Sequence, residues 1–291
     1  MNLTKLRLFH AIEPGDKFWI DEISRTGPDL TLANLLNPKF SNGRRSLSRI
    51  RERLATNPEV LIKEIQDAGG RFITDEDQEW PHQLEDLIAP PIGLIVRGEL
   101  PSCKSVSIVG TRNPTPYGAR IASEFAAGFA DRNITVISGG AFGIDTHAHR
   151  GALAAEGKTI AVLASGISIR YPAANERIFS EIIESGALIS EVMPNERARP
   201  ERFLTRNRLI AALARCTIVV EAAFRSGSLR TARDAAELLR LVLAVPGPIN
   251  SPTSDGCHRL IGERCAEIVT SVPDAMELLT AQACTLCADA T

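Results

Sequence analysis

The chain has 291 residues, 44% hydrophobic and 23% charged, with 33 Lys and Arg against 35 Asp and Glu and a formal net charge of −2. That length suits about two domains of ordinary globular composition, and no apolar run approaches the roughly 18 residues of a membrane span. The near-neutral balance excludes a protein that coats nucleic acid with its whole surface, and Met1 to Asp16 lacks the apolar core and cleavage site of an export signal, so a cytoplasmic location is expected.

Residues 1–65 are expected to form a small all-helical domain. LTKLRLFHAI and RSLSRIRERLATNPEVLIKEI carry apolar residues at three- and four-residue steps. Ser46 or Ser48 is placed to cap the second pattern, and Pro58 to begin another turn. A helix-hairpin or SAM-like module of this kind can touch DNA. Packing or protein interaction is the plainer reading, with Arg44, Arg45, Arg49, Arg51 and Arg53 as a solvated face. Residues 66–104 read as a connector broken by Trp80-Pro81 and by Ala89-Pro90-Pro91, with an edge strand near Ile92–Gly98.

From Val106 the pattern changes. Short apolar runs (VSIVG, ITVIS, KTIAVLAS, ALISE, CTIVVEA, LVLAVPG, EIVTS) alternate with helical periods such as YGARIASEFAAGFADR and SLRTARDAAELLR. This predicts an α/β domain over 105–291, a doubly wound and mostly parallel sheet. Ligands of such sheets bind beyond the carboxyl ends of the strands, so the loops after the strands carry the information.

The first loop is Gly110-Thr111-Arg112-Asn113-Pro114, suited to an anion but matching neither a dinucleotide fingerprint nor an ATPase phosphate loop. The second runs from Ser138 through Gly139, Gly140 and Phe142 to Gly143, before a helix starting near Ile144. Backbone N–H groups there favour negative charge. Asp145, His147 and His149 follow. On a helix Asp145 and His149 are neighbours while His147 faces away, so a metal set is not expected; Asp145 and His149 read as a structural pair or a cap on the loop. The third loop holds Ser165, Gly166 and, farther on, Asn175. The fourth contains Arg206 and Arg208, read as the start of an apolar helix, where cations are better explained by an anion than by helix stability. The fifth is Phe224-Arg225-Ser226-Gly227-Ser228-Leu229-Arg230-Thr231, for which an ordinary serine cap is the plain reading. Residues 196–240 hold ten Arg and five acids, net +5 on an otherwise neutral or acidic chain, which suggests a confined anion site.

The six cysteines do not suggest a disulfide framework in a chain of this size without an export signal. Cys284-Thr-Leu-Cys287 has redox or zinc spacing but lacks the strand-then-helix context. Joining it to Cys257 and Cys265 needs irregular spacing, so tail and core thiols are expected, with no metal and no cofactor.

SIVGTRNPTPYG, SGGAFGIDTHAH, KTIAVLASGISIRYPAAN, GALISEVMP, FLTRNRLIAALA, VVEAAFRSGSLRTA, LAVPGPI and SDGCHRLI, in this order over roughly 105–262, resemble the DNA processing protein A (DprA, also called Smf) family. The resemblance implies an extended Rossmann-like fold that binds single-stranded DNA and helps load the RecA recombinase in DNA recombination during natural transformation and competence. It also implies a homodimer through the Rossmann-like domain, a non-enzymatic role with no catalytic residues, and no membrane. By the same resemblance Gly110, Thr111, Arg112, Ser138–Gly143 with Phe142, Gly166, Asn175, Arg206 and Arg208 would line a backbone-phosphate pocket flanked by Ser226, Gly227, Ser228 and Thr231. Three departures stand out. Phe142 takes a position that is basic in many members, His258 one that is often Asn, and no winged-helix module follows EIVTS. The competing reading is a phosphoribohydrolase-like enzyme using Asp234, which otherwise reads as a solvated helix residue, or a nucleotide-ligand sensor.

Overall fold

The computed structural model describes residues 1–41, 47–101 and 104–288, with only the backbone described over 282–288. It divides into two compact units: one of 1–97, 163–170 and 189–206, the other of 98–162, 171–188 and 207 onward.

Among the described residues the first unit opens with five helices: α1 Leu3–Ala11, α2 Lys17–Thr26, α3 Pro28–Leu36, α4 Leu47–Leu54 and α5 Pro58–Asp67. Local chemistry sets their ends. The Asn2 side chain accepts from Lys5 N at 3.0 Å, and Asn57 accepts from Glu59 N at 3.0 Å just before Pro58 in the first turn of α5. Ser48 lies inside α4, whose side-chain stripe begins at Leu47, so it is not the expected cap; Ser46, Arg44 and Arg45 fall outside the described residues. Leu8, Ile12, Trp19, Leu35, Ile50 and Leu54 form the core of the bundle. Burying each such side chain contributes about 1.5–3 kcal/mol. The segment read as a connector holds the strands β1 Arg71–Ile73 and β2 Leu94–Gly98, paired antiparallel with Phe72 opposite Ile95.

One ion-pair network ties this unit together. Glu13 receives Arg202 at 3.0 Å, Arg53 at 3.1 Å and Arg49 at 3.3 Å, while Glu196 receives the other arm of Arg202 at 2.8 Å. The Arg202 side chain is only 6% exposed, so it depends on these two carboxylates for its charge balance.

The second unit carries β3 Ser105–Val109, β4 Thr135–Ser138, β5 Thr159–Leu163, β7 Cys216–Val219, β8 Leu241–Ala244 and β9 Glu267–Ile268, with β6 Ala187–Ser190 between β5 and β7 in the chain. Six strands pair in the order β5-β4-β3-β7-β8-β9, all parallel, with Val109 opposite Val219. The chain winds outward from β3 to one side, then returns to lay β7 on its other side. The doubly wound sheet is therefore as expected, with its switch point between β3 and β7. The connecting helices are α6 Pro116–Ala130, α7 Ile144–Ala154, α8 Glu176–Ser185, α9 Pro200–Leu213 and α10 Gly227–Glu237. Two helices that the periodicity reading did not mark, α11 Asp255–Gly262 and α12 Val272–Ala288, follow. Val272 and Met276 of α12 pack on a core of Val106, Ile108, Phe125, Phe129, Val136 and Ile218. Among the described residues no helix is long and apolar enough to cross a membrane.

The Arg202 network predicts an acid dependence. Burial raises the Glu196 carboxyl, but the Arg202 hydrogen bond and the charges of Arg202, Arg53 and Arg199 outweigh it and leave the group below its ordinary 4.5. A depressed carboxyl stabilises the fold above its unfolded value and loses that contribution as pH falls through its folded value. Urea midpoints should therefore drop below about pH 4.5. Glu13→Gln should lower stability at pH 7 by about 1–3 kcal/mol, less than for a fully buried pair because Glu13 is partly exposed. A midpoint unchanged by Glu13→Gln would show that Arg202 is balanced by Glu196 alone.

Candidate nucleic-acid interface

The loops after β3, β4 and β7 adjoin across the switch point, and hydrogen bonds lock them together. Thr111 N donates to Glu221 O at 2.6 Å, and Ile144 N to Thr111 O at 3.1 Å. Glu221, at the end of the run after β7, is 3% exposed. Its carboxylate accepts from Thr115 N at 2.9 Å and from the Thr115 hydroxyl at 2.6 Å. Thr115 in turn caps α6, accepting from Gly118 N at 3.2 Å. A Cβ on Gly118 would lie 2.3 Å from the Glu221 carboxylate, and one on Gly110 2.7 Å from Glu221 O, so both glycines are required by this close approach. Glu221 was not among the expected site residues. The sign in the sequence is an acid ending an otherwise apolar strand run, where burial without a partner would be costly.

The glycine loop holds an anion of its own. Asp145, buried at the start of α7, accepts from Gly139 N at 3.1 Å and Ala141 N at 3.3 Å. Asp145 thus caps the loop, one of the two structural roles expected for it. His149 sits fully buried with its Nδ1 2.7 Å from the Thr159 hydroxyl, which itself donates to Val136 O. Because that hydroxyl proton is committed, Nδ1 carries the imidazole proton and donates. Among the described residues no three His, Cys, Asp or Glu side chains gather as a metal site.

The expected residues of this unit differ in exposure. Ser138 is buried with its hydroxyl donating to Ile108 O at 2.7 Å. Gly139 and Gly140 are buried, and Asn175 braces them, its amide donating to Gly140 O at 3.0 Å and to the Thr146 hydroxyl at 2.8 Å. Arg112 and Phe142 are exposed at the tips of the first two loops. Ser226 caps α10, accepting from Ser228 N at 3.3 Å, so the plain reading of that serine applies. Gly227 is open, with nothing within 4 Å of a Cβ, whereas Thr231 is buried. Arg208 lies in this unit, on α9. Gly166 and Arg206 belong to the first unit, where Gly166 N donates to Glu196 O at 2.8 Å and Arg206 is buried.

Three expectations need correction. Arg206 and Arg208 are not at the start of their helix: α9 begins at Pro200, placing them about two turns inside. The Arg-rich stretch is not a single free anion site, because Arg199 and Arg202 face Glu13 and Glu196, Arg230 donates to Asp234 at 2.6 Å, and Arg233 meets Glu263 at 3.5 Å. Asp234 is not solvated: it is 7% exposed, and burial pushes its carboxyl above the ordinary value against the pull of Arg230.

Thiol chemistry recedes too. Burial raises the Cys216 thiol strongly and pushes Cys257 up to about 12, which keeps both as core thiols. The Cys284 and Cys287 side chains lie outside the described residues. A feature the sequence reading missed sits on the fifth loop. The Arg259 guanidinium of α11 stacks 4.5 Å from the centre of the exposed Phe224 ring. Nearby on the same helix His258 Nε2 lies 3.0 Å from Gly247 O.

Gly143 should be the least replaceable residue of the loops. Its φ is +82°, and a Cβ would lie 2.3 Å from Thr111 O. Gly143→Ala should cost about 1–3 kcal/mol, a melting-point loss of about 2–4 °C per kcal/mol. Gly227→Ala, in open space, should leave the melting point nearly unchanged. Equal melting points for the two variants would contradict the packing of the second loop on the first.

The family model for DNA recombination-mediator protein A matches residues 71–280. A relative from Mycobacterium tuberculosis is 43% identical over 243 residues, covering 78% of this chain and 61% of that protein. The DNA processing protein DprA of Streptococcus pneumoniae is 40% identical over 218 residues, covering 74% of this chain and 76% of its own. The chain thus spans about three fifths of the length of the mycobacterial relative. The crystal structure of the pneumococcal protein superposes with a TM-score of 0.80 at 31% identity, covering 95% of this chain and 98% of that one. A Helicobacter pylori DNA processing protein A, solved for its single-stranded DNA binding mode, superposes with a TM-score of 0.65 at 29% identity, over 74% of this chain and 98% of that one. With more than half its length matched by one family model and relatives 40–43% identical, the chain belongs to the DNA recombination-mediator protein A family.

Proposed function

We propose that this chain binds single-stranded DNA and acts as a recombination mediator. The observation that carries the reading is the direct joining of three loops at one sheet edge, through Thr111 N to Glu221 O and Ile144 N to Thr111 O. Arg112, Arg225 and Gly227 lie exposed on these loops, as do the aromatic rings of Phe142 and Phe224. Cations and open backbone meet phosphates; aromatic faces stack bases without reading sequence. Asp145 already occupies the N–H groups of Gly139 and Ala141. The phosphates are therefore met by the loop tips, with the glycines as their support. The Helicobacter pylori structure's binding mode for single-stranded DNA supports the same reading.

RecA loading, a cytoplasmic location and a homodimer through the second unit complete the proposal, on the strength of family membership. A single monomer mass by light scattering across micromolar concentrations would remove the dimer.

The binding is measured by titrating labelled oligothymidine across salt. Affinity should fall with rising salt at a slope of about −0.7 per phosphate neutralised. Arg112→Ala should weaken binding about tenfold, roughly 1.4 kcal/mol, and flatten the slope by about one contact. Phe224→Ala should cost about 1–3 kcal/mol with the slope retained. Wild-type affinity in Arg112→Ala, or a flat salt response, would overturn the reading.

The role is binding without turnover. Asp234, the one candidate acid for base release from nucleotides, is buried and committed to Arg230. No free base should be released from nucleoside monophosphates. Release that Asp234→Asn abolishes would establish an enzyme instead.

A further inference from the structure

The first unit contains a cavity of about 390 Å³ that none of the DNA-binding argument uses. It lies among α1, α2 and the segment from β1 to β2, with Ile20, Ile23, Trp80, Ile88, Pro90 and Ile92 among its apolar walls. Its size is at the small end of specific ligand sites, enough for a large side chain. Ile88, on the lip, is 73% exposed, an unusual position for a large aliphatic group beside an apolar hollow. Trp80 is 4% exposed, and its indole N–H has no hydrogen-bond partner among the described residues.

Among the described residues, acids outnumber cations around the cavity. Asp21, Asp75 and Glu85 line it. The chain from Phe72 to Val96 holds six acids, Asp75, Glu76, Asp77, Glu79, Glu85 and Asp86, and no Lys or Arg. Among the described lining residues Lys5 is the one cation, already paired with Asp75 and, at 2.9 Å, with Glu76. Asp21 meets Lys17 at 3.3 Å and Glu85 the His82 ring at 2.9 Å, both exposed pairs of the kind that is weakly held and can yield to a basic segment. A nucleic-acid backbone would be repelled here. An apolar group flanked by positive charge would gain both burial and attraction.

We propose that this cavity is a docking site for a basic partner protein, receiving one large apolar side chain of a segment whose neighbouring Lys or Arg residues face Asp21, Asp75 and Glu85. The site is separate from the DNA-contacting loops, and each can fail without the other.

The test is selection of short peptides displayed on phage against the full chain, followed by titration of the best binder with tryptophan fluorescence as the readout. The enriched sequences should carry one Phe, Leu, Ile or Met between Lys or Arg residues. Ile88→Asp changes an exposed side chain and should leave the fold intact. It should raise the peptide Kd about tenfold or more. The double reversal of Asp21→Lys with Glu85→Lys should do the same, and neither variant should alter oligothymidine affinity. Four results would overturn the proposal: no enrichment, enriched peptides lacking basic residues, binders indifferent to both variants, or competition by phenethylammonium alone at the peptide's own concentration. The last would assign the cavity to a small amine.

Discussion

Glu221 is a buried carboxylate at the point where the sheet changes winding direction, and the loops around it are arranged to satisfy it. Its two oxygens take the Thr115 N–H and hydroxyl, and its backbone oxygen takes the Thr111 N–H. An unpaired carboxylate at that depth would be costly, so the first loop is held to one path. From there the constraint passes on: Thr111 O anchors Ile144 N, which places α7 so that Asp145 can cap the glycine loop, and Asn175 closes the far side. Three loops from different parts of the chain thereby form one pre-organised edge with exposed tips.

The division of labour among the arginines follows from burial. In the first unit Arg202 is desolvated and needs Glu13 and Glu196; its role is cohesion. On the sheet edge Arg112 and Arg225 remain exposed, where their attraction for phosphate is screened by salt and suits a ligand bound by charge. The first unit also presents an acidic, apolar-walled cavity of opposite electrostatic character. A chain of net charge −2 can thus hold surfaces suited to polyanions and to basic segments, because local fields are set by nearby groups and not by the sum.

The glycine loop illustrates how a motif changes meaning in three dimensions. Read along the chain, Gly139 and Gly140 offer open N–H groups to a phosphate. In the fold both are buried and Asp145 supplies the anion, while Phe142 and Gly143 carry the loop's outward tip and its packing on Arg112. Asp234 changes in the opposite sense, from a solvated helix residue to a buried carboxyl held by Arg230.

The order of apolar strands and periodic helices from Val106 and the helical character of the N-terminal part were legible in the sequence. Each of these follows from local periodicity, turn chemistry and motif order, which act over a few residues. The Pro-Glu pair that opens α5 at Pro58 also opens α9 at Pro200, so that boundary too was legible, and the expectation set it more than a turn too late. The tertiary structure alone decided that Glu221 braces Thr115, that Arg259 stacks on Phe224, that Arg202 meets Glu13, and that an acidic cavity opens beside Trp80. These partners lie far apart in the chain, and burial and pairing between such residues are set by packing, which no local pattern encodes.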